Sequence, residues 1–147
     1  MALSGYGLFS SFYDRLMSDV DYDGRAAYLL SLFARFRPEK PPAALLDLAC
    51  GSGGVTLPLA AGGVEMIGVD GSEEMLAKAR QKADRQGLRP LFLCQDMREL
   101  DLYGTVDGAV CTLDSLNHLC RTADLREVFR RLRLVIEPGG LFLFDAS

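Results

Sequence analysis

Apolar residues in this chain fall into short blocks separated by stretches in which they recur at helical spacing. The blocks at Ala44–Ala49, Glu65–Asp70, Pro90–Cys94, Val106–Thr112 and Leu141–Asp145 read as strands. The first, second and fourth are nearly all apolar, as strands covered on both faces must be. Helical patterns lie between them, near 54–61, over Ser72–Gln86 and over Thr122–Ile136. Ser72 opens the second of these with Glu73 and Glu74 in its first turn, and Gly87 closes it. Strand alternating with helix predicts right-handed crossovers, and so an α/β three-layer sandwich around a mostly parallel sheet. Upstream, Asp21-Tyr22-Asp23 can cap a helix carrying Ala27, Leu29, Leu30, Phe33 and Phe36, which Pro38 ends. A shorter helix fits Phe9 to Met17, and Arg37-Pro38-Glu39-Lys40-Pro41-Pro42 is the one linker-like stretch. Residues 1–40 are therefore expected as a helical arm on an α/β core spanning 41–147, all within one domain.

Composition narrows the field of functions. The 147 residues leave room for one core, and 16 Lys+Arg against 20 Asp+Glu give a net charge of −4. Scattered basic residues in an acidic chain disfavour an electrostatic grip on nucleic acid or an anionic membrane. The opening residues lack a signal peptide's basic and apolar regions, so a cytoplasmic location is expected. Cys50, Cys94, Cys111 and Cys120 form no C-x-x-C pair and are read as buried, reduced thiols. With His118 the lone histidine, no metal site is expected.

In a sheet of this kind ligands sit at the carboxyl ends of the strands, beside the point where strand order reverses. The first strand ends in Leu46-Asp47-Leu48-Ala49-Cys50-Gly51-Ser52-Gly53-Gly54, where small residues let a ligand approach backbone. Asp70 ends the second strand at the position from which a carboxylate reaches a ribose diol, although a turn or helix-cap role fits it as well. Asp96, just past the third strand, can accept from an exocyclic amine or serve as a turn residue. These three carboxylates have no obvious basic partner nearby in sequence, so the crevice would repel a pyrophosphate and suit a cation. A nicotinamide dinucleotide is further disfavoured because Thr56 stands where its glycine pattern ends.

The stretch Leu46-Asp47-Leu48-Ala49-Cys50-Gly51-Ser52-Gly53 resembles the cofactor loop of class I S-adenosylmethionine-dependent methyltransferases. Val69-Asp70-Gly71-Ser72-Glu73-Glu74-Met75-Leu76 is similar to their second motif, Gln95-Asp96-Met97 to their third, and Glu137-Pro138-Gly139-Gly140 to the turn before their fifth strand. Tyr13-Asp14-Arg15-Leu16-Met17 and Leu113-Asp114-Ser115-Leu116-Asn117 resemble uncharacterised bacterial members. The resemblance implies a Rossmann-like sheet of order 3-2-1-4-5 and S-adenosyl-L-methionine as cofactor. It also implies roles: Asp70 on the ribose, Asp96 and the Met97 N–H on adenine, and Met75 against the adenine face. The backbone of Ala49, Gly51 and Gly53 would hold the methionine end, and Gly71 is counted among the cofactor-binding residues. Asp47 would position the loop and favour the ammonium, Tyr13 would close over the cofactor, and Thr112 and Leu113 would line the sulfonium side. Ala49 replaces a glycine of the family loop, a change that costs little if its φ is negative.

Asp114, Asn117 and His118 are candidates for orienting an acceptor, and no catalytic residue is singled out. Arg130-Arg131-Leu132-Arg133 is read as a solvated helix face. The family sheet continues past its fifth strand into a final β-hairpin that is absent here, so the chain is expected to be a fragment and to self-associate through the apolar edge Leu141-Phe142-Leu143-Phe144. The implied reaction is methyl transfer to a small-molecule acceptor. A module that binds cofactor without turnover and a nicotinamide-dependent oxidoreductase are the competing readings.

Overall fold

The computed structural model describes residues 21–111 and 122–144. Its elements are α1 (Tyr22–Phe36), β1 (Ala44–Leu48), α2 (Thr56–Ala61), β2 (Glu65–Asp70), α3 (Glu73–Gln86), β3 (Leu91–Cys94), a 3-10 turn (Met97–Glu99), β4 (Val106–Cys111), α4 (Thr122–Val135) and β5 (Ile136–Phe144). The strands form one sheet in the order β3-β2-β1-β4-β5, every pairing parallel. Strand order therefore reverses between β1 and β4, next to the loop that follows β1.

Alternation along β1 divides its side chains between two apolar layers. Leu45 packs with Ala26, Leu29 and Phe33 of α1 and with Val55 and Leu59 at α2. Leu46 and Leu48 face the other way, onto Val128, Leu132 and Val135 of α4. On the α1 side, Leu76, Ala79 and Ala83 of α3 cover Phe92 and Cys50. Gly68 of β2 makes that layer possible, because a Cβ there would stand 2.7 Å from Phe92 Cδ1 and 3.0 Å from Cys50 Sγ. The capping signals act as the sequence predicts. The Ser72 hydroxyl accepts from the Met75 N–H, and Gly87 closes α3 with φ 68°.

Four expectations need correction. The buried stripe of α1 is Ala26, Leu29 and Phe33, whereas Ala27 is exposed and Phe36 is 59% exposed beneath the Arg35 guanidinium. Spacings of three and four residues trace one helix face, and Ala27 lies a full step off it. Cys94 is exposed, unlike Cys50 and Cys111, because β3 is the outer strand of the sheet. The turn Glu137–Gly140 lies within the span of β5: Val106 pairs with Ile136 and Gly108 with Leu141, so the turn arches out of the ladder. Finally, Arg130 and Arg131 both donate to Glu127, whose carboxyl they hold down at about 2, and Leu132 is buried, so that stretch is not simply a solvated face.

β5 is an edge strand of this sheet, and Phe142 and Phe144 stack at 5.1 Å between centroids with Phe129 of α4 edge-on to both. At the opposite end of the strands Asp107 accepts from the backbone N–H groups of Ala43 and Ala44, and Lys40 bridges Asp107 and Glu137. This clasp fixes the entry to β1. Among the described residues no helix is long and apolar enough to cross a membrane.

Candidate functional site

The tips of β1, β2 and β3 carry Asp47, the loop from Ala49 to Gly54, Asp70 and Asp96. Asp47 points to the α1–α3 side of β1 and is 2% exposed. Its Oδ2 accepts from the Thr56 hydroxyl at 2.6 Å, which ties β1 to the first turn of α2 beneath the loop. Burial pushes the Asp47 carboxyl up to about 7, with the Thr56 hydrogen bond opposing and the Asp70 charge adding to the rise. Thr56, notable in sequence only for breaking a glycine pattern, is thus the anchor of the loop.

The loop winds through left-handed backbone, with φ 61° at Ala49, 57° at Gly51 and 87° at Gly53. The favourable condition for Ala49 is therefore not met. Its methyl group sits where L residues are strained by ~1–2 kcal/mol, because the loop's path from β1 needs that turn. Three of the loop's N–H groups are already used: Cys50 N–H donates to the Val69 carbonyl, Gly51 N–H to Asp70 Oδ2 and Gly53 N–H to the Cys50 carbonyl. A ligand ammonium, which only donates, would accordingly meet carbonyls here rather than amides.

Asp70 is the hub of the site. Its Oδ2 takes the Gly51 N–H and its Oδ1 the Ser72 N–H, both at 2.9 Å, so one carboxylate joins the loop after β1 to the start of α3. Burial raises its pKa while these two N–H groups pull it back. A Cβ built on Gly71 would meet nothing within 4 Å, which leaves the space beside Asp70 open. Met75 is only 4% exposed, and its methyl lies 3.4 Å from a Cβ built on Gly51, so it floors the loop and offers a ligand little surface. Above the loop, Tyr22 crowds Gly54, where a Cβ would stand 2.4 Å from the ring, and the Lys82 ammonium donates to the Ser52 hydroxyl.

Asp96 departs from the expectation of three unpartnered carboxylates. Arg98, two residues on, donates to it through side chain and backbone, and these hydrogen bonds hold its carboxyl below the usual range. Among the described residues, Asp47 and Asp70 remain as the pair of these carboxylates without a cationic partner. The D-x-R spacing was the available signal, since a 3-10 turn brings such residues together. Met97 opens that turn. Tyr13, Thr112, Leu113, Asp114, Asn117, His118 and Cys120 lie outside the described residues.

A parallel sheet with a glycine loop at its switch point and an acidic residue ending the next strand defines a Rossmann-like nucleoside-binding α/β protein. A methyltransferase domain model matches residues 45–140. YqeM of Bacillus subtilis (strain 168), whose name assigns it to the methyltransferases, is 42% identical over 142 residues, 95% of this chain and 54% of that protein. An S-adenosylmethionine-dependent methyltransferase from Clostridium acetobutylicum superposes with TM-score 0.82 at 33% identity, covering 97% of this chain and 57% of that one. CalS10 of Micromonospora echinaspora, an amino pentose methyltransferase solved with S-adenosylmethionine bound, gives TM-score 0.77 at 26% identity over 95% of this chain and 56% of that one. The chain belongs to the S-adenosylmethionine-dependent methyltransferases, and it spans about half the length of the curated relative and solved structures it matches.

The residues present fit that cofactor. A carboxylate oxygen has two lone pairs, so each Asp70 oxygen that accepts one backbone N–H can still accept a ribose hydroxyl. The open space at Gly71 and the acidic couple beneath the loop suit a nucleoside bearing positive charge.

Proposed function

We propose that this protein binds S-adenosylmethionine at the tips of β1–β3 and transfers its methyl group to a small-molecule acceptor. The Asp70 carboxylate carries the reading, because it organises the glycine loop and each of its oxygens keeps a lone pair next to the open position at Gly71. When bound, the cofactor supplies an electrophilic methyl on a sulfonium. The chain's own tasks are then to orient and to exclude water, since an in-line displacement needs nucleophile and methyl ~3–3.5 Å apart and little else. Asp70 fixes the ribose, Asp96 meets the purine edge, and the Met97 N–H donates to a ring nitrogen. Asp47 holds the loop through Thr56 beneath the ammonium, whose positive charge would favour its ionised form. Tyr13, Thr112 and Leu113 are assigned to the methionine and sulfonium side, and Asp114, Asn117 and His118 to the acceptor.

The net charge of −4 supports a small acceptor over a nucleic acid. So does the likeness to CalS10, an amino pentose methyltransferase. Calorimetric titration with S-adenosylhomocysteine tests the cofactor assignment. Asp70→Ala is expected to weaken binding ~10–150-fold, the ~1.5–3 kcal/mol of a charge-assisted hydrogen bond. An unchanged dissociation constant overturns the assignment. Transfer of a labelled methyl across a panel of small amines and hydroxyl compounds tests the acceptor class, and labelling of RNA alone contradicts it.

A further inference from the structure

Thr56 is fully buried, and its hydroxyl donates at 2.6 Å to the Asp47 carboxyl, which is itself shut off from water. A buried side chain cannot touch a ligand, so whatever Thr56 does for the cofactor it does through Asp47. The surroundings of that carboxyl leave the hydroxyl a deciding part. On this side of the sheet α1 contributes the apolar stripe Ala26, Leu29 and Phe33, and β4 runs alongside with Val110 opposite Asp47. From β2 the Asp70 charge opposes ionisation of Asp47. The neighbouring Cys50 thiol is pushed up by burial and by both carboxylates, and Arg80 of α3 acts on that thiol. Among the described residues, the Thr56 hydroxyl is thus the group that favours the charged form of Asp47 against burial and Asp70.

We propose that Thr56 is a positioning residue of the cofactor site: its hydroxyl holds Asp47 so that a cationic cofactor binds with release of the Asp47 proton. The proposal rests on the cofactor reading above. S-adenosylmethionine brings a sulfonium and an ammonium against one carboxylate, and a net positive charge over the loop favours the ionised carboxyl beneath it. Asp47 gives its proton to water as the cation enters, and the charge it keeps is matched by the ligand and by the Thr56 hydroxyl. Binding then tightens as pH rises, until the unliganded carboxyl has already ionised. With burial raising that carboxyl to about 7, affinity should climb below that pH and level off above it.

Calorimetric titration of the full chain with S-adenosylmethionine, repeated from about pH 6 to about pH 8.5, tests this; comparing variants with one ligand cancels the ligand's own titration. The wild type should bind about tenfold more tightly at about pH 8 than at about pH 6, since each pH unit below the Asp47 value of about 7 is worth a factor of ten. Thr56→Val keeps the side-chain shape and removes the donor, so its Asp47 ionises at higher pH. It should bind about tenfold more weakly than the wild type near neutral pH and recover most of that loss by about pH 8.5. Thr56→Ser should restore the wild-type profile, and Asp47→Asn should flatten it. Thr56→Ala carries the comparison if the valine variant fails to fold. A loss that is absent or equal at every pH would show a purely structural threonine and overturn the proposal, as would an Asp47→Asn profile as steep as the wild type's. Either result leaves the cofactor site standing. Failure of the wild type to bind S-adenosylmethionine at any pH would remove the cofactor reading and this proposal with it.

Discussion

Replacing Asp47 with asparagine tests the electrostatics of the loop anchor. The carboxyl is 2% exposed, and burial raises it from 3.8 to about 7. A raised carboxyl pKa means that between roughly pH 4 and 7 the folded chain keeps a proton that the unfolded chain has released. Stability from this group is therefore greatest at low pH, falls as pH rises through that window, and carries its full penalty above it. The span from 3.8 to about 7, at ~1.4 kcal/mol per pH unit, amounts to ~4 kcal/mol. Asparagine keeps an oxygen to accept the Thr56 hydroxyl, and the value of about 7 already includes that bond's pull on the charged form. Asp47→Asn should accordingly match the wild type near pH 4 and exceed it by ~4 kcal/mol at pH 8. Urea unfolding in steps across that range, extrapolated to water, measures the difference. A gap that does not grow with pH, or a variant less stable at pH 8, would refute a buried ionisable Asp47. The carboxylate would then have to be solvated or paired in the folded chain.

Two further substitutions probe the backbone of the site. Ala49→Gly relieves a left-handed alanine at φ 61° and should raise stability by ~0.5–1 kcal/mol after the glycine's extra freedom in the unfolded chain is deducted; an unchanged or lower denaturation midpoint contradicts this. Gly68→Ala places a methyl 2.7 Å from the Phe92 ring and 3.0 Å from Cys50 Sγ, and should destabilise by ~1–3 kcal/mol; a neutral result in urea unfolding would show that Phe92 can move aside.

The sheet was legible because parallel strands covered on both faces are apolar blocks, and here the blocks at Glu65–Asp70 and Ala44–Leu48 stand out against charged helices. The loop was legible through its small residues. Its geometry was not, because φ at Ala49 depends on how the chain leaves β1, which residue type alone does not fix. The partners of the carboxylates were hidden for a related reason. Thr56 reaches Asp47 only because a helix starts nine residues later and folds back over the strand, and Arg98 reaches Asp96 only across a 3-10 turn too short to leave a periodic signal. The stripe of α1 was misread by one step because Leu29 and Leu30 are adjacent, and only packing decides which of them faces the sheet.

A crystal structure of the protein with S-adenosylhomocysteine bound tests the central claim most directly. The claim predicts both ribose hydroxyls within hydrogen-bonding distance of the Asp70 carboxylate, with the Gly51 and Ser72 N–H bonds retained and the purine at the tip of β3. A ligand seated elsewhere, or one beside these strands with Asp70 turned away from its ribose, would contradict it.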